Sequence, residues 1–234
     1  MKRRASQSLV LFLCLMVIFS FAGCGSEAKK AMNDSVNTAN ELLEKNAKPF
    51  DPITKTALEK AVKSSEDAKD DEAFKEAKAD IDDAIKAYQD SIKQEEQITE
   101  PEEKFLVERA KNVESVTAVE AATEETDGNN LMNKDGAYYA YIAMKSSKVK
   151  SSYYASQSPV DAGADGGAAI EAFHTAKEAK ARNEYLSAFD GAGVLSSGSH
   201  KVIGTLVIRT STELTASEQK QLEKNIINAL IELK

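Results

Sequence analysis

Tryptophan is absent, and cysteine and histidine occur only twice each. Cys14 lies inside an apolar run near the start and Cys24 directly behind it, so the body of the chain has no pair for a disulfide and must stand on its own core. The two histidines, His174 and His200, show no zinc-ligand spacing with other donors. There is no Gly-x-Ser-x-Gly elbow. A trio of Ser199, His200 and Asp190 can be written down, but such trios can be drawn in most chains, so no catalytic residue is assigned and no cofactor is called for. Acidic residues outnumber basic ones, 38 to 30, for a formal net charge of −8, and no arginine occurs between Arg4 and Arg109. That balance argues against nucleic acid and anionic lipid as partners, since both need a basic patch.

What is present begins with Met1-Lys2-Arg3-Arg4, a basic start, followed by Leu9 to Ala22, an uncharged and nearly continuous apolar run. The run suits a signal-peptide core and is short for a transmembrane span. It ends Phe21-Ala22-Gly23-Cys24, which resembles the lipobox of bacterial lipoproteins, although that family usually has Leu where Phe21 stands. The resemblance implies a signal peptide over residues 1–23, a lipidated N-terminus over 24–26 and a diacylglyceryl group on Cys24. The implied location is the extracytoplasmic face of a bacterial cell membrane. Two acyl chains hold a protein where one holds it only marginally. Cleavage by an ordinary signal peptidase, or an uncleaved helical anchor, are the alternatives. Loss of the three cations of the signal takes the net charge from −8 to −11.

Residues 27–96 are poor in glycine and rich in Ala, Lys, Glu and Asp. Apolar positions spaced by three and four predict three helices. Their stripes are Ala28, Met32, Val36, Ala39 and Leu43; then Leu58, Ala61 and Val62 behind an Asp51-Pro52 start; then Phe74, Ile81, Ile85, Tyr88 and Ile92 behind Asp70-Asp71. The fold class expected is α+β: a three-helix bundle followed by an α/β domain over residues 98–234. The first half resembles the FIVAR-like three-helix modules of Gram-positive surface proteins, in Leu58-Glu59-Lys60-Ala61-Val62, Phe74 and the run from Ile81 to Tyr88. Any alanine-rich bundle shows this pattern, and a plain helical spacer reads equally from it.

Beyond Pro101 the pattern changes. Thr99-x-x-Glu102, Thr175-x-x-Glu178 and Thr215-x-x-Glu218 each spell a capping box, which predicts three helix starts. Strands are expected over Val113–Thr123, where helix continuation is the alternative, and over Tyr138–Met144, Ala168–Phe173 and Lys201–Thr210, with a turn region at Asp161–Gly167. The order α-β-β-β-α-β-α predicts a mainly antiparallel four-stranded sheet with helices packed on one face. This half resembles an uncharacterised extracellular domain of lipoproteins from Gram-positive gut bacteria. The likeness lies in Pro101-Glu102-Glu103, Leu131-Met132-Asn133-Lys134-Asp135-Gly136, Gly163-Ala164-Asp165-Gly166-Gly167, Arg182-Asn183-Glu184-Tyr185-Leu186 and Phe189-Asp190-Gly191. It implies an exported domain and no known reaction.

Two features could bind something. The acidic loop Glu124 to Asn130 offers oxygen donors near a glycine, with Asp127 and Asn129 as candidate calcium ligands, but it lacks the alternation and the bidentate Glu of an EF-hand and reads first as a polar hairpin loop. Tyr138, Tyr139, Tyr141, Tyr153 and Tyr154 cluster within 17 residues. Alternation puts Tyr139 and Tyr141 on one strand face as candidate binding residues for an envelope or host protein or a carbohydrate, and Tyr138 on the other. The resulting expectation is a lipid-anchored surface protein with a non-enzymatic binding or structural role. An envelope-associated hydrolase and a purely structural spacer are the competing classes. A binding module needs an exposed aromatic or apolar patch, an enzyme needs a pocket of convergent His, Asp or Ser, and a spacer needs neither.

Overall fold

A computed structural model describes residues 26–191 and 198–233. Residues 1–25, which include the expected signal peptide and Cys24, and residues 192–197 and 234 lie outside the described residues.

The first half is three helices, α1 (Glu27–Glu44), α2 (Pro52–Ser64) and α3 (Asp71–Gln97). Each starts where a side chain can accept an orphan backbone N–H: Ser26 from Lys29, Asp51 from Ile53 and Asp70 from Ala73. The stripes meet as a small core of Met32, Ala39, Leu58, Phe74, Ile81, Ile85 and Tyr88. The Tyr88 hydroxyl, carried into that core, donates to the Ala47 carbonyl at 2.8 Å, which ties the α1–α2 connection to α3. Lys, Glu and Asp occupy the outer faces, as the charge pattern requires.

The second half opens with α4 (Glu103–Ala110) and is built on five strands, one more than the sequence predicts: β1 (Val116–Ala121), β2 (Ala140–Ser146), β3 (Gly167–Ala172), β4 (His200–Ile203) and β5 (Leu206–Thr210). They lie in the order β1-β2-β3-β5-β4, and every neighbouring pair is antiparallel. The extra strand arises because Lys201–Thr210 is not one strand but a hairpin. Ile203 pairs with Leu206 across the two residues Gly204-Thr205. Gly204 has φ +53, and glycine first in a two-residue turn is the type II′ pattern. A β-carbon at Gly204 would also stand 2.2 Å from the Ile98 carbonyl oxygen. The Asp161–Gly167 segment, expected as a turn, contains the end of a short helix and a 3-10 turn. The short helices α5 (Ser152–Ala155) and α6 (Pro159–Ala162) precede β3, and α7 (Ala176–Ser187) and α8 (Ala216–Ile231) follow it.

Helices cover both faces of this sheet, not one. On one face Ile142, Met144, Ile170, Leu206 and Ile208 pack with Leu106 of α4 and Leu222, Ile226 and Leu230 of α8. On the other, Tyr141, Ala143, Ala169 and Val207 pack with Val160 of α6 and Ala179 and Leu186 of α7. β2 and β3 are therefore buried on both sides, which explains why β3 reads as Gly-Ala-Ala-Ile-Glu-Ala with no polar alternation.

Two of the three capping boxes form, at Thr175/Glu178 and Thr215/Glu218. The one at Thr99 does not. The Thr99 hydroxyl instead donates to the Glu95 carbonyl at 2.8 Å, closing the end of α3, and Glu100 turns the chain with φ +50 before α4 begins. The halves meet at this bend. Ile98 is fully buried in the sheet's core, its carbonyl accepts from Thr205 N–H at 3.0 Å, and the Glu100 N–H donates to the Thr205 hydroxyl at 2.8 Å. Phe50, from the α1–α2 connection, also packs against the sheet's core.

Candidate functional site

The acidic loop closes on its own carboxylate. Asp127 is buried and accepts from the N–H groups of Asn129, Leu131 and Met132 at 3.1, 2.7 and 2.9 Å, and from the Tyr138 hydroxyl at 2.7 Å. Burial works to raise its pKa, but the Tyr138 hydroxyl and the three N–H groups outweigh it and hold the carboxyl below the usual carboxylate range. Asn129 is likewise committed, its amide donating to the Tyr138 hydroxyl at 3.0 Å. The two candidate calcium ligands are thus joined through Tyr138 rather than aimed at a common point, and no cluster of three metal-capable side chains occurs among the described residues.

The tyrosines divide differently from simple alternation. The chain bends at Tyr139 before β2 begins, so Tyr138 and Tyr141 share a face, with ring centroids 5.5 Å apart, and Tyr139 takes the other. Tyr138 and Tyr141 are core: burial raises the pKa of both hydroxyls, with Asp127 adding to the effect at Tyr138. Tyr141 is therefore not a surface contact. Tyr139 is half-buried. Its ring stacks on His174 at 4.7 Å, its hydroxyl donates to the Pro101 carbonyl at 2.6 Å, and burial with nearby Glu100 pushes its pKa up to about 12. His174 in turn is 2.7 Å from the Glu100 carboxylate. This stack borders an open groove of about 690 Å³ at the junction of the two halves, where Ile92, Glu96, Thr99, His174, Ala176 and Thr205 are among the lining residues. Only Tyr153 and Tyr154, from α5, are left on the outer surface of the cluster, and Tyr153 is 67% exposed.

The Ser199, His200, Asp190 trio does not assemble as a nucleophile and base. The Ser199 hydroxyl donates to Glu223 at 2.9 Å, not to His200. Both imidazole nitrogens are engaged elsewhere, Nδ1 with Asn183 at 2.8 Å and Nε2 with Asp190 at 3.1 Å. A serine needs a free ring nitrogen within reach to take its proton, and here none faces it.

Beside His200 lies a group that sequence reading passed over. Glu171, next to last in β3 and fully buried, receives Arg182 of α7 through two bonds of 2.7 and 2.9 Å, and Arg209 of β5 at 3.1 Å. Glu171 pushes the pKa of Arg182 up against the effect of burial. The Nε of Arg209 is buried without a partner among the described residues. The signal was present: one acidic residue inside the apolar run Ala168–Phe173, and arginine in a chain that otherwise uses lysine. Each Glu171 carboxylate oxygen already holds a guanidinium N–H, and the group fastens α7 to the sheet.

No protein-family model, no curated protein and no solved structure matches this chain.

Proposed function

We propose that this is a lipid-anchored protein of the outer face of a bacterial cell membrane, held there through Cys24, with a non-enzymatic binding or structural role. The observation that carries the reading is the sequence Phe21-Ala22-Gly23-Cys24 at the end of a charge-free apolar run behind a basic start. Helix α1 begins at Glu27, three residues beyond Cys24, so an anchor there would set the helical half against the membrane with almost no tether. Helix α3, with 27 residues, spans about 40 Å and leads directly into the sheet domain, which suits a spacer. The non-enzymatic part is supported by how the reactive groups are spent: Ser199 on Glu223, His200 on Asp190 and Asn183, Glu171 on two arginines. Among the described residues no helix is long and apolar enough to cross a membrane.

Mass spectrometry of the protein partitioned into detergent tests this. The expected result is an N-terminal Cys24 carrying a diacylglyceryl group, with Cys24→Ala losing both the lipid and the membrane fraction. A cleaved, unmodified Cys24 in a soluble product overturns the anchor.

A further inference from the structure

The chain holds four Asp-Gly pairs, beginning at Asp127, Asp135, Asp165 and Asp190. In such a pair the backbone nitrogen of the glycine can attack the side-chain carboxyl carbon of the aspartate. A C–N bond forms, water leaves, and the product is a five-membered succinimide. Water then opens the ring at either carbonyl and returns aspartate or isoaspartate, in which the main chain runs through the former side chain. No other reactant enters, and nothing is oxidised or reduced. Glycine hinders the attack least because it has no β-carbon, and it leaves the backbone free to reach the required conformation. The reaction needs a carboxyl that donors do not hold, a glycine N–H not spent in a hydrogen bond, and room for the two to meet. These needs separate the four pairs.

Three pairs lack at least one of them. Asp127 is buried, and its carboxylate accepts from Asn129, Leu131, Met132 and Tyr138. The same donors favour its ionised form, and a carboxylate is a poorer electrophile than a carboxylic acid. Asp165 lies in the 3-10 turn Gly163–Gly166, where its carbonyl accepts from the Ser211 hydroxyl at 2.8 Å. Gly166 is buried there, and a β-carbon on it would stand 2.8 Å from that of Ala162, so the backbone has no room to turn. Asp190 is exposed, but Nε2 of His200 holds its carboxylate at 3.1 Å.

Asp135-Gly136 meets all three needs. Both residues are exposed. They are the central pair of a turn that Ala137 N–H closes on the Lys134 carbonyl at 2.9 Å, and Gly136, with φ +72, takes the position where a type II turn requires glycine. Neither the Asp135 carboxylate nor the Gly136 N–H has a partner among the described residues. A β-carbon on Gly136 would meet nothing within 4 Å, so the path of attack is open.

We propose that Asp135-Gly136 is a site of spontaneous aspartate isomerisation, to which the fold confines a reaction that the sequence offers at four places. The consequence reaches the acidic loop. Isoaspartate lengthens the main chain by a methylene inside the segment that Asn133 N–H closes on the Tyr138 carbonyl at 2.9 Å, and the Tyr138 hydroxyl is one of the donors that hold Asp127. The proposal does not depend on the anchor.

The test is peptide mapping of the full chain after weeks at mildly acidic pH, with electron-transfer fragmentation to distinguish isoaspartate from aspartate. A parallel sample is kept unfolded in guanidinium chloride. The unfolded chain should form isoaspartate at all four pairs at similar rates. The folded chain should form it at Asp135 several-fold faster than at Asp127, Asp165 or Asp190. Gly136→Ala should slow the reaction at Asp135 several-fold, with a melting curve to check that the variant is folded. Asp135→Asn closes the same ring with loss of ammonia, so it should react faster and show the mass change of deamidation. In the isomerised chain, hydrogen exchange should quicken at the Leu131 and Met132 amides, which the Asp127 carboxylate holds. No isoaspartate at Asp135 in a folded sample whose unfolded partner has formed it overturns the site, as does an equal or higher rate at any of the other three pairs. Unchanged exchange at Leu131 and Met132 overturns its link to the acidic loop.

Discussion

Arginine is the residue whose placement says most about this chain. Beyond Arg4 it occurs at 109, 182 and 209 only, and all three are largely buried and ion-paired, Arg109 with Glu232 and the other two with Glu171. Lysine serves the surface. The planar, multiply donating guanidinium tolerates burial against a carboxylate where an ammonium does not. Removing one partner of such a group leaves charge buried without compensation, which typically costs about 3–5 kcal/mol. Glu171→Gln should therefore lower the urea midpoint sharply, because Arg182 and Arg209 both lose their counterion. The double variant Glu171→Leu with Arg182→Met should recover part of the loss. A midpoint for Glu171→Gln within error of wild type would show that the group is solvated and not structural.

Asp127 gives a second prediction at this scale, and it depends on pH. Its carboxyl is held below the usual range in the folded chain, so its contribution to stability is fully present above the unfolded pKa of about 3.9 and is lost as pH falls through the lower folded value. Asp127→Asn should reduce stability at neutral pH and flatten the fall in acid. Tyr138→Phe should shift the acid limb toward higher pH, since it removes one of the donors that hold the carboxyl ionised. Thermal melts from pH 2 to pH 7 measure both. If wild type and Asp127→Asn fall in parallel across acid pH, the loop is not held by this charge.

Elements were legible where local chemistry decided them. The stripes of α1, α2 and α3, the Asp51 and Asp70 starts and the boxes at Thr175 and Thr215 needed only nearest-neighbour spacing. Thr99 shows where such reasoning ends. Its sequence is equally a capping box, but α3 continues to Gln97 and takes the hydroxyl for its own C-terminus. The hairpin within Lys201–Thr210 was hidden because Gly204-Thr205 lies between two apolar, mostly β-branched stretches with no other turn residue, and the partner that needs a glycine there, the Ile98 carbonyl, is more than 100 residues away in sequence. A sheet with helices on one face would bury only one of Leu206 and Val207; here both are buried, on opposite sides of the sheet. The candidate binding residue Tyr141 failed for the same reason, since a helix layer on its face was not foreseen. Leu206→Ala should cost about 2–5 kcal/mol in urea unfolding, and Val207→Ala should also be clearly destabilising, against under about 0.5 for Lys220→Ala on the outer side of α8. Equal, small shifts for all three would mean that β5 is not central.

At the scale of the whole molecule the question is how firmly the two halves are joined. Their cores are separate clusters, and the residues that link them are few: Ile98 under the β4–β5 turn, Phe50 against the sheet's core, and the Gln97 amide donating to the Leu230 carbonyl at 3.2 Å. Gly204 is a close contact of this junction. With φ +53 and the Ile98 carbonyl where a side chain would go, a larger residue there must displace either the turn or the bend at residues 98–100. Gly204→Val should therefore loosen the junction more than it unfolds either core. Spin labels on exposed positions of α1 and α7 would read this as a narrow distance distribution in the wild type and a broad one in the variant. The companion measurement is the fragment 98–234. Its sheet carries its own apolar set on both faces, so it should fold cooperatively, with a midpoint below that of the full chain because it lacks Phe50 and Gln97. A fragment with no thermal transition, beside a full chain that has one, would show that the halves form a single folding unit and that α3 is part of the domain rather than a spacer beneath it.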